Sequence, residues 1–173
     1  ELNAGSPFDY AQQCRVLVPM FLPEPNEAGR DYAAELGALL AQVFRITHGR
    51  GMVLFTSYSM LRDTTDALEQ GLEYDAIPVL AQGVSGSREN ITSLFKRNME
   101  AVLMGTHSFW EGVDVVGETL SCLVIARLPF AVYTDPIHVA RCEKIKAEGG
   151  NPFGAYTVPN AVIRFRQGFG RLI

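Results

Sequence analysis

Five short apolar runs, separated by longer stretches at helical spacing, constrain this chain more than any other feature. They are Arg15–Val18, Met52–Thr56, Ile77–Ala81, Ala101–Gly105 and Cys122–Leu128. A strand packed on one face alternates apolar and polar residues, so uninterrupted apolar runs imply strands covered on both faces. Between them, Tyr32, Leu36, Leu39, Leu40 and Val43 share one helical stripe. Met60, Leu61, Thr64 and Leu68 share a second, with Ser57 or Ser59 as candidate N-cap and Gly71 as stop. Ile91, Leu94, Phe95 and Met99 share a third, with Ser87 as candidate N-cap. Strands alternating with crossover helices predict an α/β fold, its mostly parallel central sheet carrying helices on both faces. Pro78 places its strand near an edge or at its own start.

A length of 173 residues suits one domain, 1–173, with a sizeable core. A net charge of −4 excludes a broad basic surface, so any contact with nucleic acid must be local. Cys14, Cys122 and Cys142 lack zinc-ligand spacing and read as incidental or buried thiols of a reducing compartment. There is no apolar run of membrane-spanning length, nothing resembling a signal peptide, and no initiating methionine. The expectation is a cytosolic fragment of a longer protein.

Ligands of open α/β sheets gather beyond the carboxyl ends of the strands. Thr106-His-Ser-Phe-Trp-Glu-Gly-Val-Asp-Val-Val-Gly117 follows one such end and holds the densest mixture of functional residue types. Two readings stand side by side. In one, Ser108 and backbone amides bind a phosphate, Trp110 stacks or packs, and Asp114 accepts from a ribose or orients an arginine. In the other, Phe109 and Trp110 plug the core while their polar neighbours cap turns. Thr56, Ser57 and Tyr58 leave a second strand and read either as phosphate-binding hydroxyls or as ordinary caps. Gln82-Gly83 leaves a third, and three such exits favour one shared binding edge. His48, His107 and His138 form no recognisable triad, and neither GxxxxGK[ST] nor GxGxxG occurs after a strand.

On a helical projection of Val158–Ile173, Val158, Ala161, Val162, Phe165 and Phe169 fall to one side. Arg164, Gln167 and Arg171 fall to the other, and Gly168 and Gly170 sacrifice helix propensity beside them. This predicts a core-facing helix whose outer face admits a close approach, with an anion the natural visitor.

These segments resemble the second motor domain of DinG/XPD-type superfamily 2 helicases, especially bacterial DinG-like proteins. Matching stretches run in family order: Ser6-Pro-Phe-Asp-Tyr10, Val53-Leu-Phe-Thr-Ser-Tyr58 (motif IV), Gln82-Gly83, Ser108-Phe-Trp-Glu-Gly-Val-Asp114 with Gly117 (motif V), Leu128-Pro-Phe130, and Gln167-x-x-Gly170-Arg171 (motif VI). The resemblance implies a RecA-like three-layer sandwich and ATP-driven translocation on single-stranded DNA. It implies that Gln167 and Arg171 face ATP phosphates, with Gly112, Asp114 and Gly170 on the nucleotide side of an interdomain cleft. Thr56, Ser57, Tyr58 and Ser108 would contact the DNA backbone. ATP and Mg²⁺ would be bound mainly by a first motor domain of the same polypeptide, which carries the phosphate loop. The chain stops before the second arginine of the family's Gly-Arg-x-x-Arg, so the expectation is a fragment inactive alone. A stand-alone α/β enzyme would need its own phosphate loop or catalytic cluster. A non-catalytic RecA-like nucleic-acid-binding or scaffold domain would leave Ser108, Asp114 and Arg171 dispensable.

Overall fold

The computed structural model describes residues 9–25, 30–110 and 120–172, the side chains of residues 30 and 31 excepted. Asp9 caps a single turn, α1 (Tyr10–Gln13), its carboxylate accepting from the Ala11 and Gln12 amides. A long helix, α2 (Arg30–Thr47), turns into β1 (Gly51–Leu54) through three consecutive residues with φ of 53°, 70° and 47°. Only glycine suits the middle one, because a Cβ on Gly49 would lie 1.9 Å from the Glu100 carbonyl oxygen. Then follow α3 (Tyr58–Gly71), β2 (Val79–Ala81), α4 (Arg88–Arg97), β3 (Val102–Gly105), α5 (His107–Trp110) and β4 (Cys122–Ile125). Two helices close the chain, α6 (Pro136–Ala147) and α7 (Val158–Phe169), joined through a π-helical turn at Phe153–Thr157.

The four strands pair in the order β2-β3-β1-β4, every pair parallel. β1 and β3 are buried at every position, which is why they read as continuous apolar runs. Val53, Phe55, Val102 and Met104 pack on one face against Leu36, Leu40 and Phe44 of α2 and Leu61 and Leu68 of α3. Met52, Leu54 and Leu103 point the other way, into Ile91 and Phe95 of α4 and Phe109 and Trp110 of α5. The result is the RecA-like three-layer sandwich. Each such fully buried large side chain contributes about 1.5–3 kcal/mol.

Ser57 and Ser87 cap α3 and α4 by accepting from the Met60 and Asn90 amides, so Ser57 and not Ser59 takes the first cap. β2 is an edge strand beginning just after Pro78, as its proline foretold. The run Arg15–Val18, expected as a strand, is not one. It is irregular, with Val16 76% and Leu17 85% exposed. An apolar run becomes a strand only where a neighbour supplies a hydrogen-bonding ladder and a covered face, and no described strand pairs with it. Helix α6 shows no apolar stripe in the sequence. Its signal was the cap, Asp135 followed by Pro136 in the first turn, with the carboxylate accepting from the Ile137 and His138 amides.

Candidate functional site

Because every pair is parallel, the carboxyl ends of the strands share one edge, with Thr56, Gln82 and Thr106 just past β1, β2 and β3. Gln82 ties these exits together. Its Oε1 accepts from the backbone N–H and from the hydroxyl of Thr106, both at 2.9 Å. Its Nε2 donates to the Tyr58 hydroxyl and to the Ser108 hydroxyl, both at 3.0 Å. Tyr58 is half-exposed and Thr56 and Ser108 half-buried, while Ser57 is exposed and engaged as the α3 cap. Sequence placed Gln82 at a strand exit without assigning it a role. Only the approach of β2 and β3 shows that its amide holds two of the other predicted residues.

A second group centres on Trp110. Phe109 and Trp110 are buried, so for these two aromatics the core-plug reading holds. The Trp110 indole N–H donates to the Phe55 carbonyl at 3.0 Å, anchoring α5 to the end of β1. Gly168 lies against the indole: an added Cβ would sit 2.8 Å from Trp110 Cε3 and 3.2 Å from Leu54 Cδ1. The close approach expected at this glycine is therefore made by Trp110 and not by an anion. Gly170 is exposed and caps α7, its N–H donating to the Arg166 carbonyl.

The buried face of α7 also differs from its projection. Ala161 and Gly168 are buried and Arg164 half-buried, whereas Val162 is 48% exposed and Phe165 36%. Small residues decide the packing, because only they let the helix axis approach α5 and β1 closely. The bulkier apolar side turns outward, where the Phe165 and Phe169 rings stack at 6.4 Å between centroids. Arg171, half-buried, donates from Nη2 to the Trp110 carbonyl at 3.1 Å. Gln167 is exposed. Gly112 and Asp114 lie outside the described residues.

The predicted residues thus form two groups joined by α5, which carries Ser108 in one and Trp110 in the other. Among the described residues no three or more His, Cys, Asp or Glu side chains gather to hold a metal ion. A cleft of about 600 Å³ opens elsewhere, between α6, the connection at residues 150–152 and the π-helical turn. There the buried His138 places Nε2 3.5 Å from the Cys142 sulfur and 3.4 Å from the Thr157 hydroxyl. It shares no residue with the strand-exit groups.

Residues 40–173 match the helicase C-terminal domain family, and the chain belongs to it. It is 40% identical over 97% of its length to the ATP-dependent DNA helicase YoaA of Escherichia coli. It is 35% identical over 99% to the 3'-5' exonuclease DinG of Bacillus subtilis, and 36% over 99% to the ATP-dependent helicase DinG of Mycobacterium tuberculosis. These are the relatives toward which the motifs pointed. The chain spans 26%, 19% and 25% of their respective lengths. Among the described residues no helix is long and apolar enough to cross a membrane.

Proposed function

We propose that residues 1–173 are the second motor domain of an ATP-dependent DNA helicase, acting with a first motor domain of the same polypeptide in a bacterial cytosol, at the nucleoid. ATP is the substrate of the pair, bound with Mg²⁺ mainly by the first domain. Arg171 and Gln167 face its phosphates, and Gly112, Asp114 and Gly170 line the nucleotide side of the cleft. Thr56, Ser57, Tyr58 and Ser108 grip the backbone of single-stranded DNA. What most supports this reading is the continuity of the two groups: Arg171 bonds the carbonyl of Trp110, on the same short helix as Ser108.

That continuity is what a motor needs. Phosphoryl transfer is accelerated largely by positioned positive charge, and an arginine brought up by domain closure supplies it. Closure that moves Arg171 pulls on α5, and α5 carries Ser108 and, through the Trp110–Phe55 bond, adjoins Thr56. Nucleotide state and grip on the strand are then coupled through one rigid element.

The test is ATP turnover and strand displacement by the intact polypeptide with Arg171→Ala. Turnover should fall by about 10³-fold or more, as for other phosphoryl-transfer arginines. An unchanged rate would favour a scaffold domain instead. The isolated 173-residue chain should hydrolyse no ATP.

A further inference from the structure

We propose that Gln82 is a positioning residue that fixes the polarity of two hydroxyls, turning Tyr58 and Ser108 into paired outward donors for an acceptor-only ligand, a phosphodiester of the DNA strand. This rests on the DNA-grip reading above. The backbone of Gln82 is pinned, its N–H donating to the Met104 carbonyl at 2.9 Å, and Gly83 with φ of 75° turns the chain away immediately after it. The side chain is therefore delivered over the exits of β1 and β3 and held there.

The assignment of the amide follows from one donor that cannot reverse. The Thr106 backbone N–H can only donate, so the atom 2.9 Å from it is the Gln82 oxygen. The amide nitrogen must then be the end that meets Tyr58 Oη and Ser108 Oγ. An amide nitrogen only donates, so both hydroxyls accept from it, and their own protons point elsewhere. Among the described residues neither hydroxyl has an acceptor of its own. Two hydroxyl protons, one on a half-exposed ring and one on a half-buried serine, are left to serve a ligand. A phosphodiester oxygen, which accepts and never donates, fits both.

Gln82→Glu tests this with almost no change of shape. A carboxylate still accepts from Thr106, but its second oxygen now accepts from Tyr58 and Ser108, drawing both protons inward and adding a negative charge. In the intact polypeptide, affinity for fluorescein-labelled oligodeoxythymidine should fall about ten-fold or more. The oligonucleotide concentration giving half-maximal ATPase stimulation should rise in step while the maximal rate holds. Tyr58→Phe with Ser108→Ala should weaken binding too, and adding the uncharged Gln82→Met to that pair should cost little more, because the three act as one unit. Thermal midpoints check folding. Should Gln82→Glu not fold, Gln82→Met removes the orienting amide at equal length and should weaken binding less.

If the Tyr58 and Ser108 substitutions weaken binding but the Gln82 variants do not, the inference is overturned and the grip reading stands. If the hydroxyl substitutions leave DNA affinity unchanged, the grip reading falls and takes the inference with it. A loss of affinity for a non-hydrolysable ATP analogue, with DNA binding intact, would assign the hydroxyls to nucleotide phosphates and overturn the proposal.

Discussion

Trp110 is the sole tryptophan, and three segments meet on it. Phe55 accepts from its indole, Gly168 lies against its ring, and Arg171 donates to its carbonyl. Gly168→Ala would press a methyl to 2.8 Å from the indole, with Leu54 behind it. Overpacking of this kind costs about 1–3 kcal/mol. The thermal midpoint should drop and the Trp110 emission should shift; an unchanged midpoint would mean that α7 retreats freely. Sequence marked Gly168 as a poor helix former with a reason to be there. It did not say what the glycine admits, because the partner comes from a distant segment. Burial likewise pushes the Cys122 thiol up, so that at neutral pH it holds less thiolate than an ordinary cysteine. Iodoacetamide should modify it more slowly than free cysteine, and equal rates would contradict that burial.

Caps were the most legible features among the elements. Ser57 and Ser87 were readable because an N-cap is a local event, a side chain meeting an amide two or three residues on. Asp135 caps α6 by the same kind of local contact. The His138 and Ile137 amides hold its carboxyl below the ordinary value of 3.8. Its folded state therefore prefers the carboxylate, and the unfolded state takes up the proton first on acidification. The stabilisation is complete above the ordinary carboxylate range and is lost as pH falls through the lowered value. Asparagine caps without titrating, so Asp135→Asn should flatten this part of the acid unfolding curve. Curves that superimpose below pH 4 would show that the cap contributes nothing there. Strand Arg15–Val18 failed for the converse reason: a strand is defined by its neighbours, and composition alone does not provide them.

Across the whole molecule, a net charge of −4 and the proposed grip by hydroxyls lead to a particular salt dependence. A neutral hydroxyl displaces no counterion, whereas each Lys or Arg on a phosphate adds about 0.7 to the single-strand slope. The Tyr58→Phe, Ser108→Ala pair should weaken oligodeoxythymidine binding by a similar factor at low and moderate salt. A change of slope would instead show that the two hydroxyls hold a Lys or Arg against a phosphate. The α/β alternation, the parallel sheet and the strand exits were all visible beforehand, because fully buried strands leave an unbroken apolar signature. The outward turn of Val162 and Phe165 was not. Periodicity ranks residues by polarity, while close packing of α7 selects them by size.

What the sequence by itself determined was local and periodic: the buried runs of β1 and β3, the capped starts of α3 and α4, and which polar residues stand at the ends of β1, β2 and β3. The motif order carried the family as well, and its described members Thr56 and Gln82 share an edge only once the sheet has formed. Tertiary structure alone decided the pairings. Gln82 with Tyr58, Thr106 and Ser108, and Trp110 with Phe55, Gly168 and Arg171, are bonds and contacts between segments far apart in the chain. The direction of a hydrogen bond depends on the atoms at both ends, and a sequence read along one strand holds only one of them.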